Sequence, residues 1–111
     1  MRKTVLGLTI FICSLANVNA YADTSLLKKI AEADIGYGEY LAGECVTCHK
    51  KAGSSAGIPS IAGIDAKTFV SKINGYKNKT LKNEVMQMMA GRLDEEQILS
   101  LAAYFSSLKP N

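Results

Sequence analysis

The clearest periodicity in this chain lies near its C-terminus, where Ile98, Leu101, Ala102, Phe105 and Leu108 recur at steps of three and four. That spacing gathers them on one stripe of a 3.6-residue helix. Asp94 stands before the stripe as an N-cap candidate, Glu95 and Glu96 place carboxylates at the positive end of the helix, and Pro110 stops it. A second helix is predicted over residues 65–76, with Phe69, Val70 and Ile73 on one face, and a third over residues 34–45, with Ile35, Leu41 and Ala42 toward one side. Gly36, Gly38 and Gly43 weaken that third helix, each by up to about 1 kcal/mol relative to alanine. Residues 26–30 begin a further helical stretch. Residues 53–63, rich in Gly, Ser and Ala around Pro59, read as an irregular loop. No alternating strand pattern and no internal repeat appears, so the class is all-α.

The N-terminus obeys a different logic. Arg2 and Lys3 precede an apolar run over residues 5–16, which small residues follow. That is the pattern of a secretory signal peptide. The run is too short for the roughly 30 Å hydrocarbon core of a bilayer, so no membrane span is expected once it is removed. Cleavage fits after Ala20 or after Ala22, with Ala22 preferred, giving residues 1–22 as leader and 23–111 as one domain exported to the periplasm. Cys13 leaves with the leader, and the exported chain keeps only Cys45 and Cys48.

Charge changes the picture little in sum and more in distribution. Losing Arg2 and Lys3 brings the formal +3 close to neutrality, which excludes a nucleic-acid footprint. Residues 50–92 nevertheless carry eight basic and two acidic side chains, between acidic flanks. Such a middle is either ordinary surface scatter or a patch that steers an acidic partner. A domain of about 90 residues buries only roughly 60–65% of its unfolded surface, so a cofactor, metal or disulfide is expected to staple it.

The candidate staple is Cys45-Val46-Thr47-Cys48-His49. A Cys-x-x-Cys-His run is the pattern of covalent haem attachment: two thiols three positions apart reach two vinyl groups, and the adjacent imidazole comes beneath the iron. His49 is the sole histidine. Zinc wants four ligands and the exported chain offers two cysteines and one histidine. A thioredoxin-like pair wants a βαβ context that the helical pattern lacks. A plain disulfide explains the cysteines but leaves a glycine-rich chain little to fold around. For a second axial ligand the exported chain offers Met86, Met88 and Met89, just ahead of the last helix. Thioether ligation raises a haem potential, although methionines in such places are often core filler.

Several stretches together resemble the small class I cytochromes c: Gly38-Glu39-Tyr40-Leu41, the Cys45 to His49 run, Gly57-Ile58-Pro59-Ser60-Ile61-Ala62-Gly63, Met86, and Leu93-Asp94-Glu95-Glu96 through Leu101-Ala102-Ala103-Tyr104-Phe105. The likeness covers nearly all of residues 34–108 and is nearest to the haem subunit of flavocytochrome c sulfide dehydrogenases and similar bacterial monohaem cytochromes. It implies a small cytochrome c-like fold, three to four helices packed around one haem c. It places the distal methionine on a loop seven residues before the leucine that opens the last helix, which is Met86 counted back from Leu93. It further implies that the Pro59 carbonyl accepts a hydrogen bond from His49 Nδ1, and that Gly38 and Leu41 meet Ala102, Tyr104 or Phe105. It makes Tyr76 and Asn83 candidates for hydrogen bonds to a haem propionate or to the methionine segment.

With His49 and Met86 both on the iron no open position remains, so the resemblance implies an electron carrier and not an enzyme. Its partners would be redox proteins, among them a flavoprotein sulfide dehydrogenase subunit or a terminal oxidase. A haem-based ligand binder or peroxidase is the competing class and would need an open sixth position.

Overall fold

Four helices of this chain start at the same device, an Asp or Asn side chain accepting the backbone N–H three residues on. In the computed structural model, which describes residues 17–50 and 56–110, the helices are α1 (Asn17–Ala31), α2 (Ile35–Val46), α3 (Ala66–Lys77), α4 (Glu84–Gly91) and α5 (Glu95–Ser107). Asp34 caps α2 through Tyr37, Asp65 caps α3 through Thr68, and Asn83 caps α4 through Met86, each at 2.9 Å. At α5 the device is reciprocal: Asp94 accepts the Gln97 N–H at 2.9 Å and the Gln97 side chain accepts the Asp94 N–H at 3.0 Å. Each such cap satisfies an N–H that the helix itself leaves unpaired and contributes about 1 kcal/mol.

The described residues contain helices and turns and no strand, in the all-α class that the patterning predicts. Three helices begin within a residue of their predicted starts. Two features differ. The stretch expected around residues 26–30 is part of a longer helix, α1, which runs back to Asn17 and through both candidate cleavage points. The methionines expected on a loop stand on a helix of their own, α4, because Asn83 caps a run of Val, Met, Gln and Ala, mostly good helix formers. Residues 1–16, with most of the leader and Cys13, and residues 51–55 lie outside the described part.

The core forms where α2, α3 and α5 meet. Ile98, Leu101, Ala102 and Phe105 of α5 pack with Phe69, Val70 and Ile73 of α3, Ala42 of α2 and Ala90 of α4. The predicted stripe of α5 is therefore its buried face, with Leu108 half-buried at its end. Phe69 stacks on Phe105 with ring centroids 5.7 Å apart, and Tyr104 meets Phe105 edge-on at 5.3 Å. Burying side chains of this size contributes about 1.5–3 kcal/mol each.

The most extensive helix pair is α2 with α5, and it crosses at Gly38. A Cβ placed there would overlap the Ser100 carbonyl oxygen and lie 2.9 Å from Tyr104 Cβ. Gly38 thus meets Ser100 and Tyr104, and the helix axes approach as closely as backbone allows. The loop before α3 is tied to the far end of α5, since Gly63, at φ 74°, donates its N–H to the Phe105 carbonyl at 2.8 Å. A side chain on Gly63 would also run into Pro110. Helix α1 is held from outside by exposed ion pairs, Lys29 to Glu95 at 2.7 Å and Asp23 to Lys67 at 2.6 Å. Pairs this exposed contribute at most about 1 kcal/mol.

Two outcomes follow for the folded protein. Gly38→Ala should lower the denaturation midpoint by the equivalent of about 2–3 kcal/mol, because the clash is with backbone. Gly43→Ala on the same helix should be neutral or raise it by about 0.5–1 kcal/mol, since nothing lies within 4 Å of a Cβ there. The second concerns acid. The Thr68 N–H, then the Thr68 hydroxyl, and less strongly Lys67 hold the exposed Asp65 carboxyl below the usual carboxylate range. Its stabilising contribution is therefore complete above the ordinary carboxylate pKa and is lost as pH falls through the lowered one. Asp65→Asn, which keeps the cap without the charge, should flatten that acid limb in a pH series of melting temperatures.

Candidate functional site

Helix α2 delivers its C-terminal end to the chemistry. The last turn continues past Val46 through two backbone bonds to the Cys45 carbonyl, from Cys48 N–H at 3.2 Å and His49 N–H at 2.8 Å. Cys45 and Cys48 therefore stand about one turn apart with His49 immediately after them. Both thiols are free, Cys45 half-buried against the core and Cys48 exposed. Burial, reinforced by the neighbouring Glu44 carboxylate and Cys48, pushes the Cys45 thiol above its ordinary pKa.

His49 is oriented by the loop that precedes α3. Its Nδ1 lies 2.8 Å from the Pro59 carbonyl oxygen. A carbonyl can only accept, so Nδ1 carries a proton, and in the neutral imidazole this tautomer leaves the lone pair on Nε2. This is the arrangement that makes an imidazole a metal ligand of fixed orientation and raised basicity. Gly57, at φ 76°, turns the chain just ahead of Pro59.

The other residues singled out from the sequence fall as follows. Met86 is half-buried and packs on the core from α4; Met89 is half-buried too, and Met88 is 61% exposed. Asn83 is bound to the methionine segment as its helix cap. Tyr76 packs half-buried on the core, and its hydroxyl has no hydrogen bond among the described residues. Leu41 also packs on the core from α2. Patterning gave no sign of one contact: Arg92 Nη2 lies 3.0 Å from both Glu44 Oε2 and Met89 Sδ. Glu44 and Arg92 are 48 positions apart, and only the fold brings them together.

The donor set suits a covalently held haem. It combines two unpaired thiols at thioether spacing, an imidazole oriented through its Nδ1, and a half-buried thioether. Leu41, Ile61, Ile64 and Leu93 supply further half-buried apolar surface around the core. Among the described residues no group of three or more His, Cys, Asp or Glu side chains is placed to hold a metal ion by itself. None of the helices there is long and apolar enough to cross a membrane.

Known proteins agree with this chemistry. The cytochrome c family matches residues 33–109. Cytochrome c-554(548) of Halomonas halodenitrificans is 34% identical over 79 residues, covering 67% of this chain and 95% of its own. The thiosulfate dehydrogenase electron acceptors of Thiomonas intermedia and Stutzerimonas stutzeri are 33% and 30% identical over 63% and 59% of this chain. The chain covers only about a third of the length of these two, 34% and 32% respectively. With thiols, imidazole and family match in agreement, this chain belongs to the cytochrome c family, with the covalently bound haem c of that family.

Proposed function

We propose that the chain is a periplasmic monohaem carrier whose haem is joined to Cys45 and Cys48 and ligated by His49 and Met86. The observation that carries this is the His49 to Pro59 hydrogen bond, which leaves Nε2 as an oriented donor directly after the cysteine pair. Met86 is the distal choice because it alone of the three methionines packs against the core. When bound, the group supplies a one-electron iron couple, and a His/Met pair places that couple at the high-potential end. The protein's part is to hold both ligands in either oxidation state and to keep water from the metal. With no ligand exchanged, transfer is outer-sphere.

The leader is read as residues 1–22, its removal delivering residues 23–111 to the periplasm. Cleavage after Ala22 keeps Asp23, and so keeps the ion pair with Lys67 that fastens α1 to α3.

For the partner, two relatives named as electron acceptors of thiosulfate dehydrogenase favour a donor enzyme that oxidises an inorganic sulfur compound. A flavoprotein sulfide dehydrogenase is the alternative in the same chemical class. Docking would be steered by Lys72, Lys79 and Lys82, which are exposed and make no ion pair among the described residues. Lys67 and Lys77 are engaged, with Asp23 and with the Leu93 carbonyl.

Protein matured in a haem-attaching periplasm should show a sharp low-spin α band that survives acid-acetone extraction, and the reduced form should not bind carbon monoxide. Met86→Ala should keep the extraction-resistant haem and gain carbon monoxide binding. Haem that extracts would overturn the thioether assignment; carbon monoxide binding by the unaltered protein would overturn the carrier. Electron-transfer rates with an acidic redox partner should fall as ionic strength rises past about 0.1 M, where screening acts within roughly 10 Å, and rates indifferent to salt would remove the steering role.

A further inference from the structure

Helix α4 carries two half-buried thioethers, Met86 and Met89, either of which could ligate an iron held beside it. On an α-helix residues three apart share a face, so Met86 and Met89 lie on the same side of this short helix while Met88 points to solvent. Helix geometry alone does not choose between them. The two sulfurs differ in what they touch. Met86 packs against the core with no hydrogen bond to its sulfur among the described residues, whereas Met89 Sδ lies 3.0 Å from Arg92 Nη2. The same nitrogen is 3.0 Å from Glu44 Oε2, and Glu44 directly precedes Cys45 on α2. Arg92 itself caps the C-terminal end of α4.

We infer that Arg92, anchored on Glu44, is a positioning residue that selects Met86 as the iron ligand by holding the Met89 sulfur in a hydrogen bond. The inference rests on the reading of Met86 as distal ligand. A thioether sulfur is a weak acceptor, and a lone pair directed at a guanidinium N–H is turned away from a metal. The anchor matters because arginine's side chain is otherwise free to rotate; Glu44 fixes it from α2, the helix that also carries both cysteines at its end.

The test uses haem-loaded protein and the strongly shifted proton resonance that an iron-bound methionine methyl shows in the reduced state. The unaltered protein should show one such methyl. Met89→Leu should retain it and Met86→Leu should abolish it, with carbon monoxide binding gained. Arg92→Gln should bring a second shifted methyl to roughly 10% of the population or more, from a minor state otherwise undetected. Adding Met89→Leu to Arg92→Gln should restore a single methyl, a rescue that a merely structural role would not produce. In Met86→Leu with Arg92→Gln, Met89 should take the vacant position, restoring a shifted methyl and weakening carbon monoxide binding. Glu44→Gln should act in the same direction as Arg92→Gln, and it reports on the anchor even where the arginine variant folds poorly. A single unchanged methyl in both Arg92→Gln and Glu44→Gln would overturn the selection. A shifted methyl that survives Met86→Leu in an otherwise unaltered protein would overturn the ligand reading beneath it.

Discussion

The close crossing of α2 and α5 at Gly38 is the constraint on which the rest depends. Helix α2 buries only small residues fully, Gly38 and Ala42; Leu41 and Cys45 pack half-buried on the core, and Ile35 and Tyr40 lie exposed at 50% and 80%. Its place is set by backbone meeting backbone at Ser100, a contact open only to glycine. Where α2 lies decides where its last turn ends, and that turn carries Cys45, Cys48 and His49. The weakest helix by intrinsic propensity is therefore the one whose position the site most needs. The glycine that weakens it locally is the one that seats it.

From that crossing the site is assembled by short-range links from several elements. The 56–64 loop is tied to the end of α5 through Gly63 and Phe105 and holds Pro59 against His49. Helix α4 is capped by Asn83 and tied to α2 through Arg92 and Glu44. The polypeptide core is small, with α5 supplying more of its buried side chains than any other helix. A domain of this size gains from a large apolar group attached at the α2 terminus, because the added buried surface offsets conformational entropy that so small a core opposes only marginally.

The inferred choice between the two methionines on one face of α4 would rest on a surface contact. A salt bridge as exposed as Arg92 to Glu44 adds little to stability. Under that inference its consequence is which sulfur it holds. A weak interaction suffices when it acts on the difference between two similar ligands and not on the sum of the fold.

The sequence by itself determined the chemistry and most of the helices. Thioether spacing is local, so Cys45 to His49 could be read directly; capping is local, so Asp94 marked a helix start; a 3.6-residue stripe is local, so the spacing of Ile98, Leu101, Ala102 and Phe105 was enough to mark the buried face of α5. Resemblance added the Pro59 carbonyl, which spacing alone would not have singled out. Tertiary structure decided what depends on pairs distant in the chain. It put the methionines on a helix, set Gly38 against the Ser100 backbone as well as the expected Tyr104, and joined Arg92 to Glu44 and Met89. None of these has a periodic signature, because each depends on two elements meeting, and where helices meet is settled by the packing of the whole core and not by the residues on either side of the contact.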